Sequence, residues 1–518
     1  MRVLPCGDSA VLVELDGLPE VWAFAAAVRG AALPGVLDVV PAARTVLVAS
    51  VPGTDLGRLR STLLDLSVDA AAEPAQQPVE IPVAYDGPDL DEVGRLTGLG
   101  AEGVVEAHTA TPWRVGFGGF APGFAYLTGG DERLHVARRD EPRTAVPAGS
   151  VGLAGEFSGI YPRASPGGWQ LIGRTGVTLW DAHRDPPALL QPGAPVTFVR
   201  ADPAAPTRDR DPAPATAPAP PEPGSRCLEV VASAGRALVQ DLGRPGHAAA
   251  GVGCSGAADR GALRLANRLL ANPEDAAAVE ITWGGLTLRG GPRLRAPLTV
   301  TVTGAPAAAA VDGTPVGHHS LVTLRAGQEL RIGPPSTGVR SYVAVRGGIT
   351  IPAVLGSRST DTLSGIGPAT LRAGDLLPVG PEPDTVPHVD VAPVATPTDG
   401  VLTLRAVRGP RLDRLADAAA LGRVEWTVSD RSDRIGIRLT GARLDRTDGD
   451  ELPSEGLVPG AVQVPPGGEP VVFLADAPVT GGYPVVAVLL RADVDRAAQA
   501  RPGQRVRLRL VDPPWRCS

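Results

Sequence analysis

The stretch Gly118–Leu127, GGFAPGFAYL, places two Gly-Phe pairs around a Pro-Gly turn. Glycine allows sharp bends and close approach of the backbone, and Pro-Gly favours a turn. The chain has 7 Phe, 7 Trp and 5 Tyr among 518 residues, so three aromatic side chains in one turn are a marked concentration. We predict that Phe120, Phe124 and Tyr126 form the wall of a small-molecule pocket. The alternative is a tight hairpin with a packed aromatic corner.

The overall composition favours short strands and argues against several classes of protein. With 64 Gly, 54 Pro and 43% hydrophobic residues, the chain is expected to contain many strands and turns. A net charge of −7 argues against a general nucleic-acid binder. No apolar run is long enough to cross a membrane and the N-terminus has no secretory pattern, so a cytoplasmic location is expected.

Two residue types limit the chemistry further. Cys6, Cys227, Cys254 and Cys517 form no CxxC pair, so the pattern predicts neither a disulfide framework nor a zinc site. All 49 basic residues are arginine. The absence of lysine excludes a Walker A loop, a Schiff-base lysine and a biotinylated lysine on this chain. Coding preference is the alternative explanation for the absence itself.

Changes of pattern predict five segments. We expect a small α+β domain at 1–80, a barrel of short strands at 81–202 and a Pro/Ala linker at 203–226. A strand-rich unit at 227–398, with a helix over Ala258–Leu270, and a second barrel at 399–518 are expected to follow.

Turn motifs recur between the two predicted barrels. Gly167–Trp169 followed by Pro192–Phe198 parallels Gly481–Tyr483 followed by Pro502–Leu508. Because the matches keep the same order, we predict an internal duplication. Similar hairpin chemistry without common ancestry is the alternative.

Further motifs connect both halves with known proteins. Residues 146–152 (VPAGSVG), 159–162 (GIYP) and 165–175 (SPGGWQLIGRT) follow the first stretch in order. This succession resembles the B subunit of bacterial ATP-dependent 5-oxoprolinase, also labelled allophanate hydrolase subunit 1 or Kip, over about residues 1–200. Over 227–512, motifs at 240–246 (QDLGRPG), 355–360 (LGSRST), 432–436 (SDRIG) and 480–484 (TGGYP) resemble the C subunit, or allophanate hydrolase subunit 2. Val485 stands where the family pattern suggests lysine.

The resemblance implies a natural fusion of the B and C subunits. The implied fold class is mainly β with α+β parts: cyclophilin-like β-barrels in tandem, carboxyltransferase-like, plus a small N-terminal α+β domain. The implied activity is hydrolysis of 5-oxo-L-proline to L-glutamate with ATP and Mg as co-substrates. A separate protein like the A subunit of that enzyme is the implied partner, the chain itself carries no covalent biotin, and homo-oligomer formation stays open.

Two other functions remain open at this stage. The chain could be a biotin-dependent carboxyltransferase component that acts on urea or a related amide, with biotin on a partner. Its N-terminal half, similar to the B subunit, could also bind a sensor kinase as a regulator.

The candidate catalytic residues are His108, Asp433 and Glu455, as general acid–base groups or, for the carboxylates, magnesium contacts. The alternatives are a structural hydrogen bond for His108 and an ion pair with Arg434 for Asp433. No protein-bound metal site is predicted. The motif arginines can bind carboxylate or phosphate, or can join loops through ion pairs. The candidate substrate- or nucleotide-binding residues are Phe120, Phe124, Tyr126, Arg143, Ser150, Tyr161, Gln170, Arg174, Asp241, Arg244, Arg358, Arg434, Gln463 and Tyr483.

Overall fold

The structure is a computed structural model that describes residues 1–68, 77–202, 226–234, 236–292, 294–447 and 452–513. Apart from Arg226, the predicted linker at 203–226 lies outside these residues, and so does Cys517. The expected fold class, mainly β with barrels and a small N-terminal α+β part, is confirmed. None of the described helices combines the length and the hydropathy needed to cross a membrane.

The N-terminal part is a four-stranded antiparallel sheet in the order β1-β2-β4-β3. One face packs on the helices through Val13 and Phe24, and the other packs on the last barrel through Leu12 and Leu47. Because both faces are covered, the strands are apolar on both sides rather than alternating. The elements are β1 Arg2–Cys6, β2 Ala10–Glu14, α1 Leu18–Gly30, β3 Val36–Pro41, β4 Thr45–Ser50 and α2 Leu56–Leu64.

The next sheet has seven strands in the order β12-β9-β10-β7-β6-β13-β5. An antiparallel bridge between Ala84 and Arg174 joins its two edges, so the sheet curls into a barrel. A separate two-stranded sheet pairs β8 with β11. The elements are β5 Val79–Val83, α3 Leu90–Thr97, α4 Gly100–Ala110, β6 Trp113–Gly118, β7 Ala125–Thr128, β8 Arg143–Val146, β9 Ser150–Ala154, β10 Phe157–Ile160, β11 Ser165–Gly167, β12 Gln170–Arg174 and β13 Pro195–Arg200.

The central part packs a six-stranded sheet (β20-β19-β22-β17-β14-β24) on a five-stranded sheet (β15-β16-β23-β18-β21). The predicted helix is present as α5, and Asp259 caps it by accepting a 2.9 Å hydrogen bond from Ala262 N. The elements are β14 Cys227–Ser233, β15 Arg236–Gln240, α5 Arg260–Leu269, β16 Ala278–Thr282, β17 Leu286–Gly290, β18 Leu298–Gly304, β19 Ala307–Val311, β20 Thr314–Val316, β21 Val322–Leu324, β22 Glu329–Pro335, β23 Arg340–Val345 and β24 Leu376–Pro378.

The last part is a closed barrel, β25-β32-β29-β30-β27-β26-β33, with β28 and β31 paired beside it. Read from β32, its strands follow the same order as the first barrel, and in both barrels the first and last strands pair in parallel. This agreement supports the predicted duplication. The elements are β25 Leu402–Arg408, α6 Ala420–Arg423, β26 Glu425–Val428, β27 Gly436–Thr440, β28 Glu455–Gly456, β29 Ala461–Gln463, β30 Val471–Phe473, β31 Thr480–Gly481, β32 Val485–Leu489, α7 Arg491–Ala497 and β33 Arg505–Val511.

Candidate functional site at the interface between the halves

The Gly118–Leu127 stretch connects β6 to β7 and lies where residues 1–202 contact residues 226–513. The backbone N–H of Phe120 donates to Thr480 Oγ1 at 3.0 Å, and that of Gly123 donates to Ala250 O at 3.2 Å. A Cβ added to Gly119 would lie 2.9 Å from Thr480 Cγ2 and closer still to Oγ1. The glycine is therefore needed because another chain segment, far away in sequence, approaches this turn.

The aromatic side chains of this stretch form one cluster. Ring centroids of Phe124 lie 5.2 Å from Phe120, 5.1 Å from Tyr126 and 5.6 Å from Tyr161. Phe124 and Tyr161 are buried, whereas Phe120 is half-buried at the edge and has a φ of 62°, a conformation unfavourable for a bulky residue. The cluster is thus a packed corner whose one strained member lies at the interface between the halves.

Glu455, on β28, is held in place by an arginine from a different segment. Arg411 Nε donates to Glu455 Oε1 at 2.9 Å, and the same guanidinium pairs with Glu14 of β2 at 2.8 Å. Glu455 Oε2 is buried and has no hydrogen-bond partner among the described residues. Burial raises the pKa of Glu455, and the bond from Arg411 opposes part of that rise. A fixed carboxyl group with one unused oxygen is suited to proton transfer.

His108 lies in the core of the first barrel rather than at this interface. Its ring is fully buried, stacks on Phe198 at 4.2 Å and bonds to Tyr85 Oη at 2.8 Å and Ser158 Oγ at 2.9 Å. Burial lowers the pKa of His108 to about 3, so the ring is neutral at ordinary pH. These contacts favour the structural alternative for this residue.

The relation between the two barrels also favours a structural role for His108. Trp113 Nε1 donates to His108 O at 3.1 Å, and in the second barrel Trp426 Nε1 donates to Leu421 O at 3.2 Å. Each contact joins a tryptophan at the start of a strand, β6 or β26, to the helix that precedes that strand. His108 therefore matches an apolar core residue in the second barrel.

Two of the motif arginines make ion pairs on the first barrel. Arg143 pairs with Asp89 at 2.7 Å, and Arg174 pairs with Asp86 at 2.9 Å. Asp89 also accepts from Leu171 N at 2.7 Å, so it joins the strand β12 to the start of β8, where Arg143 lies. Both arginines therefore have a structural role that accounts for their position.

The QDLGRPG and LGSRST motifs meet around one buried carboxylate. Asp241 accepts hydrogen bonds from Ser357 Oγ at 2.6 Å, Ser359 Oγ at 2.5 Å and Arg358 N at 2.6 Å. Arg358 itself donates through Nε to Ile351 O at 2.7 Å. Asp241 thus holds the two loops together, and this fixes the position of Arg244.

Arg244 differs from the other four motif arginines. It is 1% exposed and donates through Nη2 to Ser359 O. Its Nε and Nη1 are buried and have no partner among the described residues. Burial lowers the pKa of Arg244, and Asp361 and other carboxylates oppose that shift without reaching ion-pairing distance. Two unpaired N–H groups on a buried guanidinium suit an oxyanion.

Arg434 belongs to a buried network between the central part and the last barrel. It donates to Asp476 at 2.9 Å, to Gly256 O at 2.6 Å and to Glu280. Asp433 is exposed, and its carboxylate caps a turn by accepting from Ile435 N at 2.8 Å. No ion pair joins Asp433 to Arg434 among the described residues, so that alternative is wrong; Arg434 has two better placed carboxylates.

The remaining predicted residues lie in the walls of the two barrels. Ser150 is buried on β9, Gln170 Nε2 donates to Ala137 O at 3.3 Å, and Gln463 Nε2 donates to the carbonyl of the half-buried Tyr483 at 2.8 Å. Val485, where the family pattern has lysine, is 2% exposed and packs in the apolar contact between the N-terminal sheet and the last barrel.

Three residues with plausible roles were missed by the sequence reasoning. Thr480 lies in the quoted TGGYP motif, so its position could have been noted. Arg411 and Arg163 lie outside the motifs that indicated binding, and their partners are remote in sequence. Within the described ranges, no group of three or more His, Cys, Asp or Glu is arranged to hold a metal ion.

Comparisons with known proteins agree with this two-part organisation. The family model for carboxyltransferase domain subdomains C and D matches residues 1–190, and the model for subdomains A and B matches residues 250–510. The chain belongs to the carboxyltransferase domain family. Its first part is 41% identical over 204 residues to the 5-oxoprolinase B subunit of Escherichia coli O157:H7, covering 37% of this chain and 93% of that protein. Its second part is 39% identical over 285 residues to the 5-oxoprolinase C subunit of Escherichia coli K12, covering 54% of this chain and 89% of that protein.

A protein of known structure matches both parts together. The crystal structure of TTHA0988 has a TM-score of 0.87 and 34% identity, over 96% of this chain and 99% of that one. The urea amidolyase of Lachancea kluyveri is 31% identical over 307 residues, which is 54% of this chain but 16% of that protein. The carboxyltransferase-like fold and the resemblance to a fused B/C protein are therefore confirmed.

Proposed function

We propose that this chain is the fused B and C component of an ATP-dependent 5-oxoprolinase that hydrolyses 5-oxo-L-proline to L-glutamate. The observation that carries the proposal is the order and completeness of the two matches: about nine-tenths of a B subunit, then of a C subunit, in one chain. The packing supports it, since the backbone of Phe120, in the loop before β7, donates to Thr480 on β31, which pairs with β28.

The proposed reaction explains why an activated intermediate is needed. A lactam is a poor electrophile, because its nitrogen donates electrons into the carbonyl group. Transfer of the γ-phosphoryl group of ATP to the amide oxygen releases ADP and makes the carbon open to attack by water. Cleavage of the C–N bond then opens the ring, and loss of inorganic phosphate leaves L-glutamate. Fixed N–H groups stabilise the developing charge. The unpaired N–H groups of Arg244 support a role in stabilising that charge, and the unpartnered Oε2 of Glu455 supports a role in proton transfer.

Mg would enter with the nucleotide, because phosphate oxygens and one or two carboxylates commonly hold it. The chain needs a separate partner like the A subunit in this proposal, since no part of the sequence resembles that protein. We also propose that the five predicted segments are the domains of the chain. A cytoplasmic location is part of the same proposal.

The experiment is glutamate release from 5-oxo-L-proline with ATP and Mg, using this chain alone, a competent A subunit on its own, and the two together. Release only in the mixture is expected. Absence of release from the mixture would overturn the proposal. Glutamate formed by the chain alone would overturn the part that requires a partner.

The urea amidolyase match favours one alternative, a biotin-dependent carboxyltransferase component. The chain has no lysine to carry biotin, so carboxylation of urea would require a biotinylated partner protein. An assay with urea, a carrier protein whose biotin has been carboxylated beforehand, and this chain distinguishes the two. Carboxylation of urea in that assay, together with no glutamate release in the first, would favour the alternative.

A further inference from the structure

Two arginines from different halves have buried N–H groups without partners. Arg244 lacks partners at Nε and Nη1, and Arg163, which follows β10, lacks one at Nε, among the described residues. A buried donor left unpaired is energetically unfavourable, and more so when the group is charged. Because the fold leaves three such donors in one region, we expect a hydrogen-bond acceptor from a ligand to bind there in the functional protein.

Both arginines hold the same loop. Arg163 Nη2 donates to Leu363 O, and Arg244 Nη2 donates to Ser359 O. In this loop Gly365 has a φ of 68° and Gly367 a φ of 92°, which glycine alone adopts easily. A Cβ on Gly367 would lie 3.3 Å from Arg244 Nη2, and a Cβ on Gly365 would lie 3.8 Å from Arg163 Nη1. The two guanidinium groups therefore lie against one glycine-rich turn.

The carboxylates around this turn form no ion pair with either arginine among the described residues. Asp361 is the carboxylate that acts on both arginines, but it lies within ion-pairing distance of neither among the described residues. Its Oδ1 accepts from Leu363 N and Ser364 N, each at 2.9 Å. Arg434, by contrast, is paired with two carboxylates. Asp241 and Asp476 also act on Arg244, but neither lies within ion-pairing distance of it among the described residues.

We infer that Arg244 and Arg163 form an oxyanion site that binds the carboxylate or phosphoryl group of a ligand across the two halves. Guanidinium groups recognise both oxyanions through paired N–H donors. The inference rests on the proposed function, because 5-oxo-L-proline carries a carboxylate and ATP carries phosphoryl groups. Since Arg244 is 1% exposed, the turn around Gly365 has to move to admit the ligand.

The test is isothermal titration of the full chain, alone and mixed with the A subunit, with four ligands. These are 5-oxo-L-proline, pyrrolidin-2-one (the same lactam without the carboxylate), ATP with Mg, and inorganic phosphate. The variants are Arg244→Gln, Arg163→Gln and the control Arg133→Gln. Arg133 is an exposed arginine in the first barrel that pairs with Asp131.

If the site takes a carboxylate, both arginine variants weaken 5-oxo-L-proline binding at least about tenfold and leave pyrrolidin-2-one binding unchanged. If it takes a phosphoryl group, ATP and phosphate binding weaken instead. The control binds all four ligands as the parent does. Unchanged binding of every ligand by Arg244→Gln, no anion binding by the parent chain, or an equal loss for all four ligands would overturn the inference.

Two further results keep this inference apart from the proposed function. Glutamate release with an unchanged KM in Arg244→Gln would leave the function standing and remove the site. Anion binding that depends on both arginines, without glutamate release by the parent mixture, would support the site and overturn the proposed function. Arg244→Lys, which keeps the charge but loses the fork, serves if Arg244→Gln does not fold, and Arg163 is only partly buried and tolerates replacement better.

Discussion

Replacing Gly119 with alanine tests the contact between the halves directly. The added Cβ would lie 2.9 Å from Thr480 Cγ2 and 3.1 Å from its Cβ. Gly119 does not have a positive φ, so steric contact, not backbone strain, is the source of the effect. Overpacked sites of this kind lose about 1–3 kcal/mol of the free energy of unfolding.

The second variant, Thr480→Ala, removes the atoms that collide with the new methyl group. Alone it leaves the N–H of Phe120 without its 3.0 Å acceptor, which costs about 1–3 kcal/mol for a buried donor. In the double variant the nearest remaining atom is the Cβ at 3.1 Å, so most of the collision is relieved. The losses of unfolding free energy in the two single variants should therefore be non-additive, with a coupling energy of about 1–2 kcal/mol.

Guanidinium unfolding of the parent, both single variants and the double variant, followed by tryptophan fluorescence, measures this coupling. Gly30→Ala is the control, because a Cβ at Gly30, the last residue of α1, has no atom within 4 Å. Its stability should not fall, and the helix propensity of alanine favours a rise of up to about 1 kcal/mol. Losses that add to within about 0.5 kcal/mol would refute the reasoning that Gly119 is required by Thr480.

Three other outcomes are expected. Arg434→Met leaves Asp476 buried without its cation and Glu280 with Arg340 at 3.7 Å as its remaining cation. The variant should lower the free energy of unfolding by about 3–5 kcal/mol in guanidinium titrations; a loss no larger than that of the exposed control Arg431→Met would contradict the buried network. The His108 imidazole should show no NMR titration between pH 8 and 5, because burial lowers its pKa to about 3. The unfolded chain takes up this proton near pH 6.5. His108 should therefore lower stability as the pH falls from 6.5 towards 3, and a ring titration near 6.5 in the folded protein would be inconsistent with the core position. In the mixture with the A subunit, Glu455→Gln should reduce glutamate release at least about 100-fold. In the parent, Glu455 should stay protonated until the pH rises above the ordinary pKa of a glutamate side chain, because burial raises its pKa. Full activity of the variant would exclude proton transfer by this residue.

The sequence predicted those parts of the fold that depend on local patterns. Turn residues at fixed offsets, such as Gly167–Trp169 and Gly481–Tyr483, indicated two related barrels, and the strand orders agree with this. Asp259 marked the start of α5 as an N-cap should. α4 was not predicted because its sequence contains two glycines; Val104 and Ala107 hold it by packing into the barrel core.

The site was less accessible to sequence reasoning, because its contacts join distant segments. The motif around Arg244 could be recognised in the sequence. That its Nε and Nη1 have no hydrogen-bond partner among the described residues depends on how the loop at Ser359 packs. Arg411 connects Glu14 to Glu455 across most of the chain, and no local pattern indicates that. His108 shows the same limit, since sequence gives the residue type but not its burial.

Replacement of separate B and C proteins by this chain is the most direct test of the account. A 5-oxoprolinase built from three separate proteins is prepared without its B and C components, this chain is added to the remaining A component, and ADP and glutamate are both counted. The account predicts that the chain restores the reaction, with ADP and glutamate formed in equal amounts. No glutamate, or ADP formed without glutamate, from an A component that works with its own partners would contradict it.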